Sequence, residues 1–312
     1  MAQLATYGLL VFIMMVWGLN VIAIKILVQH FPPVLITSLR IFLAGMIVFL
    51  LLIFQKRLRP LTKKESFYAV AGSLLGMVGN QFFLAVGLDR TSASSAALIL
   101  ALIPLATSVL AMVFLGDRLT VLRFVGILSG LAGISLVITQ GNGGLGGLSL
   151  GSLYIFGAML SQSFSFIWIN KLTETLDARE ATAVMLTFGS VLLFVISLFM
   201  DPHGVHALTD GSLGVWTVFV LSAVVATALG QMIYNLAIHR LGAGKSAIFM
   251  NLTPLFSLVG SALLLGETIR LPQIVGFLFI VAGVLLGTGY LEQVIARKND
   301  DRTVIRRRDR SV

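Results

Sequence analysis

Two clusters of polar and aromatic side chains interrupt long apolar stretches of the sequence. Trp17 and Asn20 lie three residues apart in the first stretch, and Gln231, Tyr234 and Asn235 have the spacing i, i+3, i+4 in a later one. In a helix each cluster lies on one face. Amides and aromatic rings can hydrogen-bond to and stack on a small solute, but the clusters contain no base that would activate a nucleophile and no pair of acids. The clusters therefore predict binding rather than catalysis.

Other polar side chains near the centres of apolar stretches extend this prediction. The complete predicted binding set is Trp17, Asn20, Asn80, Gln81, Gln162, Gln231, Tyr234, Asn235 and Asn251. A polar group without a partner in hydrocarbon costs roughly 2–7 kcal/mol, so each must face a cavity or another helix. Hydrogen bonding between helices is the alternative interpretation for any single member. For the two clusters we favour a cavity.

The composition of the surrounding sequence indicates a lipid environment. The chain is 57% hydrophobic and 11% charged, with a mean hydropathy of +0.99, whereas a soluble domain is about 25% charged. Apolar runs of about 20 residues recur, the length that crosses a hydrocarbon core of ~30 Å. The sequence predicts an all-α integral membrane protein. Its ten predicted transmembrane spans are residues 5–28, 34–54, 67–88, 93–115, 121–139, 150–171, 181–200, 212–238, 243–265 and 271–291.

The basic residues predict the orientation of these spans. With a cytoplasmic N-terminus, 18 of the 22 Lys and Arg residues fall on the cytoplasmic side and only Lys25, Arg40, Arg90 and Arg270 fall outside. This asymmetry obeys the positive-inside rule. We expect a multi-pass protein of the plasma (inner) membrane with both termini cytoplasmic. The net charge of +9 is thereby explained without nucleic acid, and residues 293–312 are predicted to be a disordered basic cytoplasmic tail.

An internal repeat divides the chain into two halves. At a constant offset of 150 residues the matched pairs are Pro104 with Pro254, Gly116 with Gly266, Asp117 with Glu267 and Gly126 with Gly276. Each half contains five spans, so the second half must enter the bilayer in the opposite orientation. The prediction is two inverted five-helix repeats, residues 1–142 and 143–292. Secondary transporters with this architecture bind their substrates near the midplane, between the repeats.

These motifs resemble the EamA type of the drug/metabolite transporter superfamily. The resemblance is carried by "WGLNVIAIK" in the first span, by "P…LGDRLT…GILSGLAG" in the fourth and fifth spans, and by "P…LGETIRLPQIVGFLFIVAG" in the last two. It covers residues 5 to about 291. It implies a ten-helix fold, cytoplasmic termini, a central cavity and movement of small metabolites. The sixth span lacks the Trp-Gly-x-Asn spacing of the first, so no role passes to Trp168.

The expected function is secondary transport. We expect a small polar metabolite, such as an amino acid, to be moved by alternating access through a central cavity, with export as the expected direction. The alternative is a membrane protein without transport activity, such as an intramembrane enzyme or a scaffold. The four histidines are scattered among loops and the chain has no cysteine. We therefore expect no catalytic residue, metal site or cofactor, and a monomer or weak homodimer whose partners are the substrate and the lipid bilayer.

Lys25 and Arg40 each place a cation within an apolar stretch. An ionised side chain at the bilayer centre costs at least ~2.5–3.5 kcal/mol, which makes both functional candidates. Both lie near the outer ends of their spans, where a long side chain can extend to the headgroups. They are interpreted as charges at the outer mouth of the cavity. Each has either a structural role there or a contact with an anionic group of the substrate.

Prolines and acidic residues mark two equivalent places in the repeats. Pro104 and Pro254 fall in mid-span, where each removes a helix hydrogen bond. They are candidate hinges, with a static bend as the equal alternative. Asp117 and Glu267 follow at the ends of these spans, and the expectation is that each caps the N-terminus of the next helix.

Overall fold

The fold is entirely helical across the residues that the computed structural model describes. These are residues 2–56, 58–115, 120–138, 149–241 and 249–288, with the side chains of residues 2–5, 115, 138, 235, 236 and 238–241 outside the description. The helices of the first half are α1 (Ala2–His30), α2 (Pro33–Phe54), α3 (Lys63–Ser73), α4 (Asn80–Arg90), α5 (Ala93–Leu100), α6 (Ile103–Leu115) and α7 (Val121–Ile138). Those of the second half are α8 (Leu150–Thr173), α9 (Ala178–Met200), α10 (Leu213–Leu221), α11 (Gly230–Leu241), α12 (Leu252–Leu265) and α13 (Leu271–Gly287), with a 3₁₀ helix at Gly204–Asp210.

Seven of the apolar helical stretches are long enough to cross a membrane, and three further apolar helices are shorter. The shorter ones, Val121–Val137, Leu252–Leu265 and Leu271–Gly287, occupy the fifth, ninth and tenth predicted spans. Helices satisfy their backbone groups internally, which is the condition for crossing a bilayer. The chain is therefore an integral membrane protein. Residues 243–248 of the ninth predicted span and the predicted tail, 293–312, lie outside the described residues.

Two predicted spans contain a π-helical segment that the sequence pattern did not predict. The first π segment, Leu74–Gly79, joins α3 to α4, and the second π segment, Ser222–Leu229, joins α10 to α11. A π segment closes its backbone hydrogen bonds between residues i and i+5, one residue further apart than in an α-helix. Both segments lie in the interior of their spans, so each changes which side chains face the neighbouring helices.

Each proline lies just after a short turn that divides the helix of its predicted span. The fourth span ends as α5 and restarts as α6, in which Pro104 is the second residue. The ninth predicted span continues as α12, in which Pro254 is the third residue. The first N–H groups of a helix have no partner within it, so proline fits there without losing a bond. The carbonyl of Met250 instead accepts from the backbone N–H of Thr253 at 3.0 Å.

Helix pairing joins the two halves of the chain. The helix α2 packs on α9, and α7 packs on α13. The helix α1 packs against α12 and α11, while α8 packs against α6 and against α3 and α4. In the α7–α13 pair, a Cβ added to Gly126 would lie 2.8 Å from the carbonyl oxygen of Gly283, and one added to Gly133 would lie 2.7 Å from that of Gly276. The order of these contacts makes α7 and α13 antiparallel.

Glu267 caps a helix far away in the sequence, which corrects the prediction that it caps the next one. Its carboxylate accepts from the backbone N–H of Ala93 at 2.8 Å and from the N–H of Ser94 at 3.0 Å. The hydroxyl of Ser94 donates a further bond of 2.6 Å. These groups form the start of α5. In α13 the cap comes from Gln273, which accepts from the N–H of Arg270. Asp117, the repeat partner of Glu267, lies outside the described residues.

Candidate functional site

The second π segment is the meeting point of side chains from both halves of the chain. The indole N–H of Trp17 donates to the carbonyl oxygen of Ala226 at 2.9 Å. The side-chain oxygen of Asn20 accepts a hydrogen bond from the hydroxyl of Ser222. The hydroxyl of Thr227 donates to the carbonyl oxygen of Ser222, five residues earlier, at 3.0 Å. Both members of the predicted Trp17/Asn20 cluster therefore lie on this segment.

An aromatic pair lies beside the segment. The rings of Trp17 and Tyr234 are 5.1 Å apart between centroids and tilted by 54°. Tyr234 is buried and Trp17 is half-buried. Gly230 makes the close approach of the indole possible, since a Cβ there would lie 2.7 Å from the indole nitrogen. The pair lies at the boundary between the halves and packs with Leu10, Ile13 and Met14.

Arg40 joins this group. Its side chain is only 2% exposed, and its guanidinium donates to Thr227 Oγ1 at 3.1 Å and to Gln81 Oε1 at 2.9 Å. Arg40 belongs to α2 and is buried where this helix meets α4 and the second π segment. Gln81, predicted independently for the binding set, is its partner.

The remaining predicted residues near the first π segment lie where this segment and α4 pack against α8. Asn80 is buried and donates its amide to the carbonyl oxygen of Ala158 at 2.9 Å. Gln162 is half-buried, and its amide nitrogen would lie 3.9 Å from a Cβ added to Gly76. For Asn80 the geometry favours the alternative interpretation, a hydrogen bond between helices.

For the other three predicted binding residues, only the position in the fold is described. Gln231 is half-buried in α11, one residue after Gly230, and Asn251 is half-buried in the turn before α12. The side chain of Asn235 lies outside the described residues.

Lys25 has a structural contact at the end of another helix. Its ammonium donates to the carbonyl oxygens of Leu88 at 2.6 Å and Asp89 at 3.3 Å, and the side chain is only 8% exposed. These carbonyls belong to the last turn of α4, which a cation stabilises through hydrogen bonding and the helix dipole. Of the two interpretations of Lys25, these contacts favour a structural role over a contact with the substrate. Its role is that of a C-terminal cap.

Ser222 and Thr227 are the residues of this site that the sequence reasoning missed. Both are small hydroxyl residues in an apolar stretch, where such side chains commonly bond back to their own helix. Only the π geometry and the approach of α1 and α2 turn them outward to Asn20 and Arg40. Among the described residues there is no group of three or more His, Cys, Asp or Glu side chains that could hold a metal ion.

Comparison with known proteins identifies the family. The model of the EamA-like transporter family matches residues 4–139 and again residues 149–288. The chain belongs to the EamA-like transporter family. The prediction made from the motifs of the first, fourth, fifth, ninth and tenth spans is confirmed, and transport is the activity that the family and its relatives support.

Individual relatives are similar along most of their length. The uncharacterized transporter YyaM of Bacillus subtilis is 30% identical over 272 residues, which covers 86% of this chain and 88% of YyaM. The uncharacterized inner membrane transporter YedA of Escherichia coli K12 is 24% identical, with 91% of each chain covered. A solved crystal structure shares the fold, with a TM-score of 0.65, 17% identity and coverage of 93% of this EamA-like chain and 97% of the other.

Proposed function

We propose that the protein is a secondary transporter that moves a small polar metabolite, such as an amino acid, across the plasma membrane by alternating access, with export as the expected direction. One observation carries this proposal. Trp17 and Arg40 of the first half form hydrogen bonds with Ala226 and Thr227 of the second half. A solute held between two halves becomes accessible to either side as the halves rock against each other.

We further propose ten spans in two inverted repeats, residues 1–142 and 143–292. The first π segment, shifted by the repeat offset, falls on residues 224–229, within the second π segment. The antiparallel pairing of α7 with α13 supports the inversion. Ser129, near the middle of α7, donates its hydroxyl to the carbonyl oxygen of Phe279 at 2.8 Å. These two residues are themselves equivalent at the offset of 150, as expected beside a two-fold axis.

Cytoplasmic termini are the third part of the proposal. Contacts between predicted loops support this orientation, because they join segments that the positive-inside rule assigns to one side. Lys25 contacts Leu88 on the predicted outer side. Arg59 forms an ion pair of 2.6 Å with Glu65 and donates to the carbonyl oxygen of Thr175 at 2.8 Å on the predicted cytoplasmic side.

Flux measurements in proteoliposomes test the proposed function. A panel of radiolabelled amino acids and related metabolites is expected to include at least one that shows saturable uptake. Trp17→Ala removes the stacking face and the bond to Ala226, and we expect flux to fall by about tenfold or more. Trp168→Ala is the matched control, because Trp168 contacts Phe67 and Tyr68 instead. Equal flux in the two variants contradicts the proposed site, and absence of saturable flux of any solute contradicts transport.

A further inference from the structure

Arg40 is a cation buried deep in an apolar helix. It lies seven residues after Pro33, the first residue of α2, and its side chain is 2% exposed. Charged side chains inside membrane helices are costly, and they mark sites where a partner or a ligand compensates them. The partner of Arg40 therefore decides its role.

The partners of Arg40 carry no charge. They are the amide oxygen of Gln81 and the hydroxyl oxygen of Thr227, and the Nε atom is buried without any hydrogen-bond partner. In the part of the chain that the structure describes, the salt bridge is that of Arg59 with Glu65, and no carboxylate pairs with Arg40. A guanidinium presents a planar fork of donors that matches a carboxylate. This fork is buried with its counter-charge missing.

A second unpartnered group lies on the same face of α2. Thr37 is three residues before Arg40, 2% exposed, and its hydroxyl has no hydrogen-bond partner. Residues three apart share a helix face. Buried polar groups are normally hydrogen-bonded, so two unsatisfied donors on one face indicate a ligand that both can reach.

The position of Arg40 places this charge beside the proposed substrate site. Thr227, which accepts from Arg40, follows Ala226, which accepts from the indole of Trp17. Gln81 belongs to the first half and Thr227 to the second. A bound anion would thus contact both halves next to the Trp17–Tyr234 pair.

Lys25 does not compete for this role. Its ammonium is already bonded to two carbonyl oxygens at the end of α4. One cation with a planar fork balances one singly charged planar anion, whereas a phosphate dianion would require a second positive group. The chemistry favours a carboxylate.

We propose that Arg40 binds the carboxylate of the substrate, and that the transported solutes are small organic acids or amino acids whose apolar or aromatic part lies against Trp17 and Tyr234. This inference rests on the proposed function. The carboxylate accepts hydrogen bonds from Arg40, while the neutral side chains of Gln81 and Thr227 hold the guanidinium in place when the site is empty.

Pairs of solutes that differ only in the carboxylate test the proposal. The probes are benzoate with benzamide, and phenylalanine with phenylalaninamide, used as labelled solutes for flux and as titrants of purified protein. Trp168→Phe and Trp216→Phe leave Trp17 as the only tryptophan of the chain, so that its fluorescence reports binding. We expect the wild-type site to bind each carboxylate at least about tenfold more tightly than its amide, a difference worth ~1.4 kcal/mol.

Variants of Arg40 test whether this residue causes the preference for carboxylates over amides. In R40Q the ratio of carboxylate affinity to amide affinity is expected to fall to about one. R40K keeps the charge but loses the fork of donors, so there the ratio is expected to fall at least about threefold. R90Q is the matched control, since Arg90 is exposed over the ring of Tyr154, and it should keep the wild-type ratio. Size-exclusion chromatography verifies folding. If R40Q does not fold, the proposal is tested by comparing the ratio of carboxylate affinity to amide affinity in the wild type with that in R40K.

The outcomes separate the two proposals. Saturable flux with a wild-type ratio near one overturns the role of Arg40 and leaves transport standing. A tenfold ratio that persists in R40Q, or one undiminished in R40K, also overturns it. Flux of neither member of either pair, together with no response of Trp17, overturns the role of Arg40, and absence of saturable flux for every solute of the metabolite panel contradicts the proposed function as well.

Discussion

Lys25 and Arg40 are both isolated cations inside apolar helices, but the structure stabilises their charges differently. Lys25 caps the carbonyl end of α4, so its charge serves the helix. Arg40 is held by Gln81 and Thr227 between the halves. The sequence predicted that both residues are functional candidates, but it could not show which of them has a structural role and which could contact the substrate. The difference depends on which backbone and side-chain oxygens the fold brings near, and these come from residues 41 to 187 positions away.

Lys25→Met tests the capping role at the residue scale. The substitution keeps the length of the side chain but removes a charged donor from two carbonyl oxygens. We expect the free energy of unfolding to fall by about 1–2 kcal/mol, measured as a lower Tm in detergent, while the preference for carboxylates is kept. Lys63→Met is the control, because Lys63 is exposed, and its Tm should stay near that of the wild type. A changed preference in Lys25→Met would give Lys25 a substrate role.

The elements illustrate what periodicity can and cannot predict. The apolar runs predicted where each span lies, and the described helices overlap all ten predicted ranges. The interruptions at residues 101–102 and 250–251 were signalled only in part, since proline shows where a helix cannot continue but not whether it bends or restarts. The π segments carried no sequence signal. They are stabilised by partners on other helices, among them Trp17 on Ala226.

Glu267→Gln tests a contact between distant elements. The carboxylate accepts from both first N–H groups of α5, whereas a glutamine has one acceptor oxygen and turns an NH₂ donor towards the other N–H. We expect a loss of about 1–2 kcal/mol in the free energy of unfolding. Glu174→Gln, at an exposed position, should change Tm little. Equal Tm values for the two variants would show that the cap contributes nothing to stability.

At the scale of the whole molecule, the two halves meet through closely packed glycines. A Cβ on Gly126 would lie 2.6 Å from the Cα atom of Gly287 and 2.8 Å from the carbonyl oxygen of Gly283. Both are backbone atoms, which cannot rotate away as a side chain can. The sequence showed Gly126 and Gly276 as repeat partners, but the approach of Gly126 to Gly283 and Gly287 depends on the antiparallel packing of α7 and α13.

Gly126→Ala is therefore expected to destabilise the protein by about 1–3 kcal/mol through overpacking, with a lower Tm and a lower yield of folded protein. Gly8→Ala is the control in α1, since a Cβ there meets nothing within 4 Å, and removal of a helical glycine is neutral or slightly stabilising. If the two substitutions have the same effect, the close approach of the halves is not required for stability.

The opposed insertion of the two halves is tested most directly by cysteine labelling. The chain has no cysteine, so a single one can be introduced at Val121 or at Leu271, the first residues of α7 and α13. Both positions are equivalent at the repeat offset and highly exposed, at 78% and 71%. With a membrane-impermeant maleimide, Leu271→Cys is expected to label in intact cells and Val121→Cys only after the membrane is opened. Labelling of both from the same side would contradict the inverted repeats and the alternating access that depends on them.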